Sequence, residues 1–115
     1  MKPVFSALFL VLSFVGGAHA HHGWSEYDTG KPLTLTGRIV DSGYEHPHGF
    51  VRLDVGGKIM RVVLAPPSRL EYRGLSRERL KAGGMATVEG YPSRDDSAEM
   101  RAERITTGGK TVALR

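Results

Sequence analysis

The apolar run near the start of the chain is the feature that most constrains what it can fold into. Lys2 precedes this run, which extends from Val4 to Val15 with only two serines as interruptions. A basic residue, a short apolar segment and a small-x-small tripeptide such as Ala18-His19-Ala20 are typical of a cleavable secretion signal. The run is shorter than the roughly 20 residues that span a bilayer. We therefore predict that residues 1–20 are a signal peptide and that residues 21–115 are a periplasmic protein.

The remainder of the chain is small and contains no cysteine. A domain of this size buries a thin core, and without cysteine it has no disulfide, no lipoprotein anchor and no thiolate metal ligand. The formal charge is +4 for the full chain and +3 without Lys2. Its basic residues are interleaved with acids, which we interpret as an ordinary solvated surface. Because export removes nucleic acid as a partner and no second apolar run follows, we expect neither a nucleic-acid partner nor a transmembrane segment in the mature protein.

Alternation of apolar and polar residues predicts a series of short strands. The polar stretch from His21 to Pro32 predicts an extended arm in front of them. Gly37, inside the first strand, predicts a β-bulge or a sharp coil, and Gly56-Gly57 has the form of a hairpin turn. A loop is expected over Asp41–Gly49. The predicted strands are Leu33–Val40, Phe50–Val55, Lys58–Leu64, Met85–Tyr91 and Glu99–Thr106, with a last short strand ending near Leu114.

A short helix is predicted between the third and fourth strands. Pro66-Pro67 ends the strand because proline cannot donate to a ladder, and Gly74 suits the left-handed residue that follows a helix. Leu75–Leu80 predicts one more turn. The resulting order, β1-β2-β3-α-β4-β5, is that of an OB-fold barrel; an open β-sandwich or another small barrel are the alternatives. We predict an all-β domain with one short helix, a small OB-like β-barrel over residues 33–115. The positions expected to point inward are Ile39, Leu53, Val62, Val88 and Ile105.

The four histidines of the mature chain form two groups. Cleavage after Ala20 places His21 and His22 at the N-terminus, and His46-Pro47-His48 lies in the first loop of the barrel. Imidazole nitrogen suits Cu(II), Zn(II) and Ni(II), and copper leads the divalent affinity order. A deprotonated terminal amine can join the histidines in a chelate. We therefore predict a site for Cu(II) or another divalent metal, with His21, His22 and His48 as ligands and His46 as an optional one.

Two metal geometries and two metal-free interpretations stay open. In one geometry the amine and imidazole of His21 bind side by side, and a third nitrogen comes from His46 or His48. In the other, the amine, the first peptide nitrogen and the imidazole of His22 form a planar set that favours Cu(II). Without metal, the terminal pair is a loose tail and the second group is a rigid loop. Cleavage after Ala18 is the rival processing event, because it moves the amine away from the terminal pair.

Two aromatic residues follow the terminal histidines. Trp24 and Tyr27 are expected to pin the arm by burying their rings on the barrel, which would hold the histidines near its surface. Glu26, Asp28 and Glu45 are nearby carboxylates that can accept hydrogen bonds from ligand imidazoles. The aromatic pair is therefore predicted to position the site rather than to form it.

Several short motifs extend through nearly the whole mature chain. They are His21-His22 with Trp24, Tyr27-Asp28, Leu35-Thr36-Gly37, Pro47-His48, Pro67-Ser68-Arg69-Leu70, Arg73-Gly74, and Gly90-Tyr91-Pro92 with Arg94-Asp95. With this combination the chain resembles a family of short exported bacterial proteins catalogued as a domain of unknown function. The resemblance implies export and a small β-rich fold, without an established activity.

The chain departs from that family at two loops. Members have Asn-Pro-His followed by an aliphatic residue, whereas this chain has His46 and Gly49 at those places, so the resemblance favours His48 over His46 as a ligand. Members also have a turn resembling Lys-Pro-Gly-Asp, and here it is Lys81-Ala82-Gly83-Gly84. This change implies a looser turn before the fourth strand.

These observations favour a binding protein over an enzyme. The chain has no nucleophile elbow, phosphate loop, dinucleotide fingerprint or pair of catalytic carboxylates. We predict an exported periplasmic protein that binds copper or another divalent metal. The alternative is a metal-free interaction module that presents a barrel face or the Arg69–Arg79 region to another envelope protein. An oxidative copper enzyme that uses the terminal histidine ranks last.

Overall fold

The computed structural model describes residues 23–115, which form a closed five-stranded β-barrel with one short helix. The predicted all-β, OB-like class is therefore confirmed. Within residues 23–115, no helix has the length and apolar character needed to cross a membrane. The strands are β1 Leu33–Gly43, β2 Phe50–Val55, β3 Lys58–Val63, β4 Met85–Pro92, β5 Glu99–Thr107 and β6 Lys110–Ala113, and the helix is α1 Pro67–Tyr72.

The barrel closes because each of five strands pairs with two neighbours, in the order β1-β2-β3-β5-β4. β1 is antiparallel to both β2 and β4, and β5 is antiparallel to β4. β3 meets β5 in a short parallel pairing over Arg61–Val63 and Glu99–Arg101, which completes the cylinder. β6 adds a hairpin strand to the far end of β5. The start of β5 thus lies beside the end of β3, where the candidate site is found.

Alternating side chains fill the interior of this barrel. All five positions predicted to point inward are buried, and they form one cluster with residues from the helix and its following turn. Each fully buried aliphatic side chain contributes about 1.5–3 kcal/mol relative to leaving it in water. The most deeply buried large side chains include Ile39, Leu53, Leu64, Leu70, Leu75, Leu80, Met100, Ile105 and Leu114.

The helix covers one end of the barrel with a single leucine. Pro67 is its first residue, and Leu70 is completely buried in the core. Gly74 follows the helix with a φ of +80°, the left-handed conformation that glycine adopts without penalty. A 3₁₀ turn, Arg77–Leu80, then returns the chain to the core through Leu80. The predicted extra turn is therefore present, and it is tighter than an α-helix.

The first strand corrects two expectations. β1 continues to Gly43, so the loop predicted over Asp41–Gly49 is reduced to residues 44–49. The bulge lies between Ile39 and Asp41, where the register against β2 shifts. Gly37 instead faces the β2 backbone so closely that an added Cβ would collide with the carbonyl oxygen of Asp54. The glycine is required for close strand packing.

Candidate functional site

The described part of the N-terminal arm is held on the barrel by Tyr27. Its side chain is only 3% exposed, and its hydroxyl donates a hydrogen bond of 3.0 Å to Oε2 of Glu99 at the start of β5. The backbone pairs with Ser93, and the amide of Asp28 donates to the carbonyl of Pro92 at 2.9 Å. Burial raises the pKa of Tyr27, and the neighbouring carboxylate of Glu99 raises it further. The expected anchoring role of Tyr27 is confirmed.

Trp24 adds a second attachment through two guanidinium groups. The Cζ atoms of Arg101 and Arg115 lie 4.3 Å and 4.5 Å from the centroid of its ring. Tyr91 meets the same ring edge-on, with centroids 6.1 Å apart. Arg101 is only 6% exposed, and this burial lowers its pKa. Cation–π contacts of this kind favour a fixed position for the indole. The described arm is therefore attached to the barrel from Trp24 onward.

The loop between β1 and β2 carries the second histidine group. His46 is exposed and His48 is half-buried, and the His46–Pro47 peptide bond is cis. Gly49 fixes the end of the loop because its amide donates to Ala65 at 2.8 Å and its carbonyl accepts from Leu64 at 2.8 Å. A Cβ on Gly49 would lie 2.7 Å from Cδ1 of Leu70. Glycine therefore lets this loop pack directly on the helix.

Arm, loop and barrel enclose one cleft of about 280 Å³. We call it the histidine cleft. Three carboxylates face it with one guanidinium, so its lining has a negative balance when the histidines are neutral. Arg61 sits with its Cζ 4.4 Å from the centroid of the Phe50 ring and its Nε 3.7 Å from Oε1 of Glu99. The cleft is lined by Glu26, Tyr27, Glu45, His46, Pro47, His48, Arg61, Val63 and Glu99.

Arg101 links the arm to the histidine loop. One of its Nη atoms lies 3.5 Å from Nε2 of His48, while its Cζ stacks on the ring of Trp24. A guanidinium has only donors, so this contact is a hydrogen bond when Nε2 of His48 carries no proton. The buried side chain of Arg101 therefore contacts both His48 and Trp24.

The structure brings together two of the four predicted ligands. His46 and His48 both line the histidine cleft, and Glu26 and Glu45 line it as well. His21 and His22 lie outside the described residues. Among residues 23–115, no group of three or more histidine and carboxylate side chains is arranged to hold a metal ion. The metal prediction therefore stays a prediction, and it depends on the two residues that precede Gly23.

Asp28 has a different role from the one expected. Its Oδ1 accepts from the amide of Gly30 at 3.1 Å, and its Oδ2 lies 3.8 Å from Nζ of Lys31. Both contacts stabilise the turn that leads into β1. Asp28 therefore shapes the arm, whereas Glu26 and Glu45 face the cleft.

Sequence reasoning missed Glu99 and Arg101 as members of the site. The pairing of β4 with β5 skips Glu103, because Glu89 pairs with Arg104 and Gly90 with Ala102. This bulge changes which face of β5 points into the barrel, and no alternation pattern reveals it. Gly90 lies opposite the bulge without room for a side chain. The Gly90-Tyr91-Pro92 motif was the sequence signal close to this bulge.

The family assignment rests on most of the chain. Residues 9–101 match the model of a family of unknown function, DUF6152. The chain belongs to this family. The predicted membership of a family catalogued as a domain of unknown function is thus confirmed, whereas export stays a prediction.

Solved structures with a similar fold come from other classes of protein. A chain of the complex of TiaS with a tRNA, AMPCPP and agmatine is 17% identical over 70% of this chain and 19% of its own length, with a TM-score of 0.52. A chain of the S. pombe Stn1–Ten1 complex is 17% identical over 66% of this chain and 57% of its own length, with a TM-score of 0.51.

A ZRD-deleted TiaS mutant in complex with agmatine gives 17% identity, a TM-score of 0.50, and coverage of 76% of this chain and 25% of its own. The chain thus spans about a fifth to under three fifths of these proteins. At this identity the likeness shows the barrel fold alone. No curated protein matches the sequence.

Proposed function

We propose that this member of the DUF6152 family is an exported periplasmic protein that binds Cu(II) or another divalent metal at the histidine cleft. His21, His22 and His48 are the proposed ligands, and His46 is an additional donor. The observation that carries the proposal is the meeting of arm and loop. Tyr27 and Glu26 of the arm line the same cleft as His46 and His48, and His22 directly precedes Gly23.

The donor chemistry of the cleft fits a borderline divalent cation. Imidazole nitrogens suit Cu(II), Zn(II) and Ni(II), and the carboxylates of Glu26 and Glu45 supply negative charge and acceptors for imidazole N–H groups. The chain has no cysteine, so the soft thiolate donors that select Cu(I) are missing. Arg101 beside His48 opposes a cation at Nε2, and metal binding there would therefore displace its guanidinium.

Processing after Ala20 would complete the donor set. It creates an α-amine on His21, whose ordinary pKa of roughly 7.7–8.0 lets a metal displace its proton near neutral pH. Together with one imidazole of the arm and that of His48, this amine gives three nitrogen donors. The competing local chelate uses the amine, a peptide nitrogen and His22, and it does not need His48.

Native mass spectrometry of the processed protein tests the proposal, because one spectrum reports both the N-terminus and the metal stoichiometry. The protein purified after export should begin at His21 and bind one Cu(II). His48→Ala should lose most of the bound metal, whereas His46→Ala, the matched control on the same loop, should keep most of it. Full retention by His48→Ala would reject the arm-and-loop site, and absence of metal in the correctly processed chain would support the metal-free interaction module.

A further inference from the structure

The fold gathers basic residues that are dispersed in the sequence. Side chains of α1 reach residues 114 and 115, and Lys110 of β6 reaches Gly74 after the helix. The cationic side chains of these segments and of the 3₁₀ turn are exposed. The fold thus adds residues 110 and 115 to the basic Arg69–Arg79 region, although the sequence interleaves basic residues with acids. We call these residues the basic surface: Arg69, Arg73, Arg77, Arg79, Lys81, Lys110 and Arg115.

The charge count shows how uneven the distribution is. Residues 67–81 contain five lysines or arginines and two glutamates, and residues 108–115 contain two basic residues and no acid. The other described residues contain eight basic and ten acidic side chains. The whole positive excess of the described chain therefore lies in these two segments.

Hydrogen bonds from cationic side chains to main-chain oxygen atoms tie the two segments together. Nη1 of Arg69 donates to Leu114 at 3.3 Å, Nη2 of Arg73 donates to Arg115 at 3.1 Å, and Nζ of Lys110 donates to Gly74 at 3.4 Å. The peptide carbonyls of Leu114 and Gly74 are neutral, so they orient Arg69 and Lys110 without cancelling their charge. The result is a connected surface of oriented positive groups.

Two ion pairs reduce the charge of this surface only in part. Nζ of Lys81 lies 2.7 Å from Oε2 of Glu78, and Nη1 of Arg115 lies 2.9 Å from Oε1 of Glu103. The Lys81–Glu78 pair is exposed to water on both sides, where such pairs are weak. The surface therefore keeps a strong attraction for anions.

Two exposed apolar side chains neighbour cations of this surface. Tyr72 is 88% exposed on α1, and Met85 is 56% exposed beside a hollow that Arg79 and Lys81 also line. A tyrosine ring, apolar with a polar tip, is favoured at the level of lipid headgroups. Cations with a few apolar anchors are the combination that binds anionic membrane surfaces.

We propose that the basic surface docks the protein onto an anionic phospholipid surface. Charge complementarity between the seven cations and lipid phosphates supplies the attraction, and Tyr72 and Met85 enter the headgroup region. The histidine cleft is built from the arm, the first loop, β3 and the start of β5, so the docking surface is separate from it, although Arg115 of the basic surface also stacks on Trp24 of the arm. An acidic protein as partner is the competing outcome.

Vesicle co-sedimentation of the processed protein tests the docking. We expect binding to phosphatidylcholine vesicles that contain phosphatidylglycerol, and none to phosphatidylcholine alone. Raising NaCl from about 0.1 M to about 1 M shortens the Debye length from about 10 Å to about 3 Å and should release the protein. Arg73→Gln/Arg79→Gln/Lys110→Gln should lower the partition coefficient at least about tenfold.

A matched triple variant separates the effect of where the cations lie from the effect of net charge. Lys31→Gln/Arg38→Gln/Lys58→Gln removes the same charge from other surfaces, and it should lower partitioning less than about threefold. Tyr72→Ser should weaken binding at low salt without changing the melting temperature. Equal losses of binding in the two triple variants would overturn the proposal, and so would wild-type binding that does not depend on phosphatidylglycerol. Binding to an acidic protein without binding to vesicles would replace the membrane by a protein partner.

Discussion

Replacing Tyr27 by phenylalanine isolates the hydrogen bond that anchors the arm. The ring stays, so its burial is preserved, and only the 3.0 Å bond to Glu99 is lost. A hydrogen bond to a charged group contributes about 1.5–3 kcal/mol to stability. The side chain of Glu99 is 25% exposed, and its Oε1 lies 3.7 Å from Nε of Arg61, so water and Arg61 offset part of the loss. We expect Tyr27→Phe to lower the free energy of unfolding by about 1–2 kcal/mol.

The pH dependence of stability gives the same variant a second readout. Burial and Glu99 raise the pKa of Tyr27, so the folded protein holds this proton to higher pH than the unfolded chain does. The stabilisation is present below the unfolded pKa of about 10 and is lost as the pH rises above it. Tyr27→Phe should therefore show a shallower loss of stability in alkali. Tyr44, whose pKa burial also raises, leaves a residual slope.

Urea unfolding followed by tryptophan fluorescence, repeated from neutral to alkaline pH, measures both effects. Tyr72→Phe is the matched control, because this tyrosine is 88% exposed and its hydroxyl should contribute less than about 0.5 kcal/mol. Equal stabilities of the two variants, or unchanged alkaline slopes, would refute the claim that Tyr27 anchors the arm through Glu99.

Three further substitutions test the core, the helix end and the arm. Leu53→Ala should cost about 2–5 kcal/mol in urea unfolding because Leu53 is fully buried, whereas Ile59→Ala, at 43% exposure, should cost less than about 1.5 kcal/mol; similar costs would contradict the strand phase. Gly74→Ala should lower stability by roughly 1–2 kcal/mol, since its φ of +80° strains any residue with a Cβ, and a neutral effect on the melting temperature would contradict that conformation. Trp24→Leu removes two cation–π contacts that contribute about 0.5–1 kcal/mol each. The variant should bind Cu(II) about tenfold more weakly in calorimetry; an unchanged affinity would show that the indole does not position the metal site.

Much of the barrel was predictable because its strands alternate and its turns use glycine. The alternation around Leu53 and Val62 identifies the buried face directly, and Pro66-Pro67 with Gly74 identifies the helix between β3 and β4. The end of β1 was not predictable, because the bulge after Ile39 lets the strand continue through polar residues. The alternation of apolar and polar residues does not reveal that register shift.

The candidate site was predictable only in part, for a related reason. His46, His48, Glu26 and Glu45 stand in segments that pattern alone assigns to loops, and the cleft unites them. Arg101 reaches His48 only because β5 bulges at Glu103 and pairs in parallel with β3. Long-range pairing of this kind decides which charged residues become neighbours, as it does for the basic surface.

Calorimetric titration of Cu(II) into two forms of the protein tests the central claim most directly. One form begins at His21, and the other carries an extra Ser-Gly in front of it, so every histidine is kept and only the amine moves. Since loss of even an outer ligand partner costs about 10–100-fold in metal affinity, the extended form should bind at least about tenfold more weakly. His48→Ala in the first form should weaken binding to a similar extent. Equal affinities in all three proteins would contradict a metal site shared by the arm and the histidine loop.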